Sequence, residues 1–376
     1  MAKRTLWLWA IGAFILPACL HAQVYKIAFV SQRKNDRGIF VMQSDGSALK
    51  QLTDDPLAVL TDGAWSPDGQ RLTFNAMRKG GMRLGARGLA WNDNRDEEML
   101  TKYPLPFHFP LCVMDANGEG QKRLIDAPVV PGARWSPDGK RILFTSAFED
   151  PDRNDPRVRK GAKHAATALY VLDVANGHYK RITDVARSDL NAFATWSPDG
   201  SKVLFTCGRP PQQPREICTV DADGGDEKQL TTRGGTAVGA QWSPDQQHIV
   251  FVAAPRGRSD EESGVYIMGA DGTNQRRISR LLTTSVSWSP NSKSILIRAS
   301  AAGYVLNVEE NYGMKLALGG GRVLDEIFSP DGNEVIYRSN EEGKDQIYAI
   351  RVDGTGRRKL SDGVGADSMF AVSTSR

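Results

Sequence analysis

This chain of 376 residues reads as an all-β protein, a seven-bladed β-propeller of four-stranded antiparallel blades. Three observations lead there. A Trp-Ser-Pro-Asp-Gly motif or a close variant begins at Trp65, Trp135, Trp196, Trp242, Trp288 and Phe328. Each copy runs into an alternating apolar segment, and each segment leads to a second hairpin. The last segment of the chain matches the form of a first strand and supplies what the first blade lacks. Strand-turn-strand units recurring at roughly 40–45 residues are the mark of propeller blades.

The turn has a mechanism. In Ser66-Pro67-Asp68-Gly69 the proline presets φ at the second position of a type I turn, aspartate tolerates the third, and glycine accepts the left-handed fourth. The same residues recur at 136–139, 197–200 and 329–332, while 243–246 and 289–292 are degraded to Ser-Pro-Asp-Gln and Ser-Pro-Asn-Ser. Turn chemistry accounts for each Asp without invoking a metal cluster. Each turn feeds a β run: RLTF at 71–74, RILF at 141–144, KVLF at 202–205, HIVF at 248–251, SILI at 294–297 and EVIY at 334–337.

The second hairpin of each unit is clearest at 39–53, 216–231, 265–279 and 347–361, where most copies carry Asp-Gly between two β runs, a strong hairpin signal. Less regular copies lie at 111–125, 169–183 and 304–317. Seven second halves stand against six Trp-type first strands. The folded part opens with KIAFVS (26–31), a second strand without a first. Asp367 to Ala371 resembles Asp325 to Ser329, which aligns Phe370 with Phe328 and closes the ring through the C-terminal strand. Closure removes open sheet edges.

Composition fits a globular chain: 40% hydrophobic and 24% charged residues. The expected layout is a signal peptide over 1–22 followed by a single propeller domain over 23–376. Lys3 and Arg4 precede an apolar core from Leu6 to Leu16, and Leu20-His21-Ala22 offers a cleavage site. Export to the periplasm or the medium follows. Leu16-Pro17-Ala18-Cys19 leaves a second reading open, a lipid anchor at Cys19 on an outer-membrane lipoprotein. No apolar stretch after residue 22 is long enough to span a membrane, so no transmembrane span is expected in the mature chain. The net charge of +4 is too weak to argue for nucleic acid. Cys207 ends one strand and Cys218 sits in the next, on either side of a proline-rich hairpin; a disulfide and two buried thiols both stay open. Cys112 reads as core. No pattern calls for a metal or any other cofactor.

The repeated WSPDGxxhhF followed by hYhhDxxG…LT resembles the propeller repeat of the TolB family, and is similar to tricorn-type and prolyl-oligopeptidase-type propellers. It covers about 26–373. The TolB family carries an α/β domain before a six-bladed propeller, whereas here the leader runs almost directly into the first of seven blades. The resemblance implies a free-standing periplasmic interaction module, without carrying over the Tol-Pal role. No Gly-x-Ser-x-Gly elbow points to a hydrolase.

The chain departs from its own repeat in the loops between second and third strands: about 75–109, 146–167, 207–215 and 253–264. Long loops within a compact fold tend to be functional. These four belong to adjacent blades and share one face of the ring. Candidate binding residues there are Trp91, Tyr103, His108, Phe148, Arg153 and His164, types enriched at contact hot spots. Burial of Trp91 and of 107–109 under the loop itself, and solvation of the charge run 149–160, are the competing readings. The function read from this is a non-enzymatic scaffold, monomeric, presenting a one-sided loop crown to a protein, peptide or glycan. The alternative is a metal-assisted lyase or hydrolase of a glycan or peptide, with His108 or His164 beside Glu149 or Asp150. No spacing shows three converging ligands.

Overall fold

The computed structural model describes residues 24–33, 36–53, 58–78, 109–146, 168–183, 194–208, 214–254, 262–281, 283, 285–299, 302–310 and 313–373. Among them are twenty-seven strands and no helix. Blade 1 is built from β27 (Ala366–Val372), β1 (Lys26–Arg33), β2 (Asp36–Gln43) and β3 (Lys50–Gln51). Blade 2 takes β4 (Ala58–Trp65), β5 (Arg71–Arg78), β6 (Phe109–Asp115) and the first half of β7 (Lys122–Trp135). The second half of β7 opens blade 3, with β8 (Arg141–Ser146), β9 (Ala168–Asp173) and β10 (Tyr179–Arg181). Blade 4 is β11 (Thr195–Trp196), β12 (Lys202–Cys207), β13 (Glu216–Asp221) and β14 (Lys228–Gln229). Blade 5 is β15 (Thr236–Trp242), β16 (His248–Ala254), β17 (Gly264–Gly269) and β18 (Arg276–Ser279). Blade 6 is β19 (Val286–Trp288), β20 (Ser294–Ala299), β21 (Ala302–Asn307) and β22 (Gly313–Lys315). Blade 7 is β23 (Val323–Phe328), β24 (Glu334–Ser339), β25 (Gln346–Arg351) and β26 (Arg358–Lys359). This is a seven-bladed propeller of four-stranded antiparallel blades.

The repeat motif works as a small hydrogen-bonded frame. Ser66 Oγ accepts the N–H of Arg71 at 2.9 Å and donates to Asp68 Oδ1 at 2.5 Å; Asp68 also accepts the N–H of Gln70 at 3.0 Å. The Ser–Asp bond recurs at Ser136–Asp138, Ser197–Asp199, Ser243–Asp245 and Ser329–Asp331, with Asn291 taking the role beside Ser289. These carboxylates are spent on the turns. Gly69 sits at φ 64°, and the degraded copies keep that conformation without glycine: Gln246 at 63° and Ser292 at 60°. A second frame closes the second hairpin in blades 1, 3, 4 and 7: the hydroxyls of Thr53, Thr183, Thr231 and Ser361 accept the N–H of Ile39, Leu169, Ile217 and Ile347.

Seven hydrophobic clusters fill the seven interfaces between blades. Each Trp of the motif is a wedge there, and three are also latches. Nε1 of Trp135, Trp196 and Trp288 donates at 3.1 Å to the carbonyl of Ala64, Arg134 and Gln241, the residue just before the preceding blade's Trp. The basic residue after the turn reaches forward. The Arg71 guanidinium lies 4.6 Å from the Trp135 ring and bonds the Gly139 carbonyl, and Arg141 does the same to Trp196 and Gly200.

The C-terminal strand closes the ring, with Ala366 to Val372 paired antiparallel to Ile27 to Gln32. The alignment needs one correction. Val372, not Phe370, faces Ile27 at the register where Trp65 faces Leu72 and Phe328 faces Val335. Ser373 then takes the place of the motif serine: its Oγ accepts the N–H of Lys26 at 2.9 Å and its N–H reaches the Lys26 carbonyl at 2.8 Å. A bulge between the residues facing Ala28 and Phe29 leaves Phe370 without a partner in the ladder, just as β23 carries a one-residue bulge between Val323 and Asp325. Residues 1–22, with Cys19, lie outside the described residues; no helix among those described is long and apolar enough to cross a membrane.

Candidate functional site

The two ends of the ring differ. One end carries the short Ser-Pro-Asp-Gly turns and the Asp-Gly hairpins. At the other, second strands run into third strands, and there the long connections fall: 79–108 in blade 2, 147–167 in blade 3, 208–215 in blade 4 and 255–263 in blade 5. The first is shorter than 75–109, because β5 continues through Arg78 and β6 starts at Phe109. Trp91, Tyr103, His108, Phe148, Arg153 and His164 lie outside the described residues. The structure describes the base on which those loops stand.

Beneath the blade 4 loop, Cys207 and Cys218 form a disulfide with Cα atoms 5.9 Å apart, inside the usual span for such a bridge. Cys207 is the last residue of β12, so the bridge clamps the root of the loop. Glu216 opens β13 beside it and is buried; Oε1 accepts the Gly234 N–H at 2.9 Å and Oε2 accepts the Thr231 hydroxyl. A cavity of about 450 Å³ lies against this group, walled by Gly208, Pro214 and Glu227 as well. Cys112 is buried, outside any disulfide, with its Sγ 3.9 Å from the Pro110 carbonyl.

On the same end, blades 6, 7 and 1 carry a belt of charge. Arg298 of β20 stands 3.5 Å from Glu326 of β23, whose side chain is 1% exposed. Burial pushes the Glu326 carboxyl up to about 7, with the Arg298 charge opposing. Arg338 bridges Asp325 and Asp345 at 2.6 and 2.8 Å. The Asp345 carbonyl accepts the Asp367 N–H, which joins blade 7 to the closing strand. Asp367 is buried, accepts the Ser31 hydroxyl at 2.5 Å, and is raised above the ordinary carboxylate range by desolvation. Arg33 completes the belt with a two-pronged pair to Asp362 at 2.7 and 3.0 Å. Sequence reasoning missed this belt. Its pairs fall within blade 7 or between neighbouring blades at no repeated spacing, Ser31 and Arg33 come from the other end of the chain, and the one local signal was the acidic substitution in the first strands DEIF and DSMF. Among the described residues no three His, Cys, Asp or Glu converge as metal ligands.

Comparison with known proteins follows this geometry. The TolB beta propeller domain family matches residues 157–303, the stretch holding the compact repeats of Trp196, Trp242 and Trp288. Protein TolB homolog of Chlorobium luteolum is 26% identical over 295 residues, covering 73% of this chain and 63% of that protein. Its counterpart in Chlorobium chlorochromatii is 29% identical over 140 residues, 32% of this chain and 31% of that one. This chain is a TolB-like propeller protein. It spans less than two thirds of the length of those relatives. TolB from Acinetobacter baumannii superposes on the TolB-like propeller with a TM-score of 0.51 at 17% identity, over 92% of this chain and 67% of that one. An oligogalacturonate lyase from Vibrio parahaemolyticus reaches 0.60 at 12% identity, over 90% and 85%. Both likenesses are of fold.

Proposed function

We propose that this TolB-like propeller is an exported, non-enzymatic interaction scaffold of the bacterial periplasm or cell envelope, presenting its loop end to a protein, peptide or glycan. One observation carries the reading: the long connections fall on one end of four adjacent blades, while the other end is tiled by repeat turns. The TolB relatives support an envelope location. The Cys207–Cys218 bridge supports an oxidising compartment, where such bridges persist. The scaffold works as a monomer without cofactor, on a partner that is not a nucleic acid.

The test removes the crown. Deleting 80–106 is expected to abolish capture of envelope partners by crosslinking while leaving the thermal transition in place; retained capture would overturn the reading. Terminal sequencing of exported material separates cleavage after Ala22 from lipidation at Cys19. The resemblance in fold to an oligogalacturonate lyase keeps one alternative in play, a metal-assisted lyase or hydrolase on the same end. It requires bound divalent metal or turnover that disappears in His108→Ala or His164→Ala.

A further inference from the structure

In four blades an aromatic pair sits at one register, second strand against third: Phe29–Phe40, Phe144–Tyr170, Phe251–Tyr266 and Tyr337–Tyr348, with ring centroids 5.3–5.9 Å apart. Each third-strand ring is covered by a further side chain. Arg33 lies 4.6 Å from the Phe40 ring, Arg233 3.8 Å from Tyr266 and Arg357 4.8 Å from Tyr348; Tyr179 meets Tyr170 edge-on. Tyr179 and Arg357 cover from one equivalent place, two residues before the fourth-strand residue that faces the ring, while Arg33 and Arg233 reach it from elsewhere in the chain. The ring is therefore a surface that the fold fills by whatever means the blade provides.

Blade 6 breaks the pattern. Ile297 faces Tyr304 where blades 1, 3, 5 and 7 place an aromatic pair; blades 2 and 4 carry Cys112 and Cys218 on the third strand and so present no ring there. Leu281 stands two residues after Ser279, as Arg233 stands two residues after Thr231, so a branched aliphatic replaces the guanidinium. Tyr304 instead lines a groove of about 740 Å³, with Leu281, Ala299, Ala302 and Lys315. That volume lies within the range of ligand sites. Lys315 faces Tyr304 across the strand pair and makes no ion pair among the described residues. Its counterpart in blade 7, Lys359, faces Tyr348 and is neutralised by Glu342 at 2.5 Å. Blade 6 thus combines a part-buried ring, capped among the described residues by neither a guanidinium nor a second aromatic, with a cation whose counter-charge the described residues do not supply.

We propose that the groove of blade 6 binds a carboxylate that carries a flat aromatic ring, the ring on Tyr304 and the charge beside Lys315. This site lies on the same end of the ring as the long connections, one blade beyond them, and does not depend on the crown having a partner. A flat apolar ring fills the space a guanidinium fills in blade 5. A carboxylate supplies the charge that Glu342 supplies in blade 7. A cationic ligand is disfavoured by Lys315, and an aliphatic one leaves the ring face poorly matched.

The test is calorimetric titration of the full chain with N-acetylphenylalanine and, separately, with its uncharged amide. The acid is expected to bind saturably at one site, and the amide about tenfold more weakly, the factor of one charge-assisted contact. Lys315→Met should erase the difference between the two. Leu281→Arg rebuilds the cover of blade 5 and should abolish binding with the thermal midpoint unchanged; if that variant does not fold, Ala302→Trp fills the same groove. A tetrapeptide ending in phenylalanine binding more tightly than the free acid would mark a polypeptide terminus as the natural ligand, and equal binding a small aromatic acid. Absence of saturable binding overturns the proposal, as does equal affinity for acid and amide or undiminished binding in both filling variants.

Discussion

At the residue scale, repetition makes equivalent side chains into controls for one another. Trp135 is buried and its Nε1 donates to Ala64, whereas Trp242 is part-exposed and its Nε1 has no acceptor among the described residues. Trp135→Phe should therefore cost about 1 kcal/mol more than Trp242→Phe, the net worth of one hydrogen bond. Trp135→Ala should cost about 3–5 kcal/mol, as large core truncations do. Midpoints of urea unfolding measure both, and equal losses in the two Phe variants would deny the latch. The degraded turns make the opposite prediction. Gln246 and Ser292 hold a left-handed conformation that costs an L-residue about 1–2 kcal/mol. Gln246→Gly should raise stability by about 1 kcal/mol or somewhat less, since glycine loses more chain entropy on folding. A lower midpoint in that variant would mean that the Gln246 side chain makes a compensating contact.

At the element scale, charge on the strands and turns sets how the blades respond to pH. The turn carboxylates Asp68, Asp138 and Asp199 are held below the usual range, first by the hydrogen bond from their serine. A depressed folded value means stability that is full above the unfolded value of 3.8 and lost as pH falls through the lower folded one. Glu326 runs the other way. Its carboxyl moves from 4.5 unfolded to about 7 folded, so the native state keeps a proton that the unfolded chain releases. Wild-type stability should fall between pH 5 and 8, by on the order of 3 kcal/mol at most. Glu326→Gln, which does not titrate, should gain on wild type across that window in thermal melts; a pH-independent difference would refute the assignment. This contrast also shows what the residues told in advance. The turns, the alternating runs and the blade count were legible because each rests on local chemistry repeated along the chain. The first strand of blade 1 was placed correctly but its register was not. An aromatic at 370 outweighed the valine at 372, although Val372-Ser373 keeps the motif's own serine. The belt from Arg298 to Arg33 was not legible: Arg298–Glu326 joins neighbouring blades and Arg338 with Asp325 and Asp345 joins parts of blade 7, at no repeated spacing, and Arg33–Asp362 and Ser31–Asp367 meet only through ring closure. The crown residues singled out by type, from Trp91 to His164, were chosen because they interrupt the repeat, and an interruption carries no periodicity from which to place a side chain.

At the scale of the whole molecule, the ring depends on a seam that no covalent bond closes. Blade 1 takes its innermost strand from the end of the chain, and the seam is fixed at several levels. β27 pairs with β1, Ser373 frames Lys26, the Asp367 N–H reaches Asp345 of blade 7, and Arg33 clasps Asp362. A chain ending at Gly365 keeps the Arg33–Asp362 pair but loses β27, leaving the inner edge of β1 with unpaired N–H and C=O groups. Exposed edges of this kind recruit another strand. The shortened protein should melt at a lower temperature and associate as its concentration rises, seen as a mass increase in light scattering after size exclusion. A chain ending at Ser373 keeps every contact named above and should match the full protein in both measurements. A graded variant lies between the two: Ser373→Ala leaves the strand but removes the acceptor for Lys26, at a cost of about 1 kcal/mol. If the Gly365 chain stayed monomeric with an unshifted melt, the closing strand would contribute nothing. The ring would then be held by its seven apolar interfaces alone, each blade wedged on the next without a clasp.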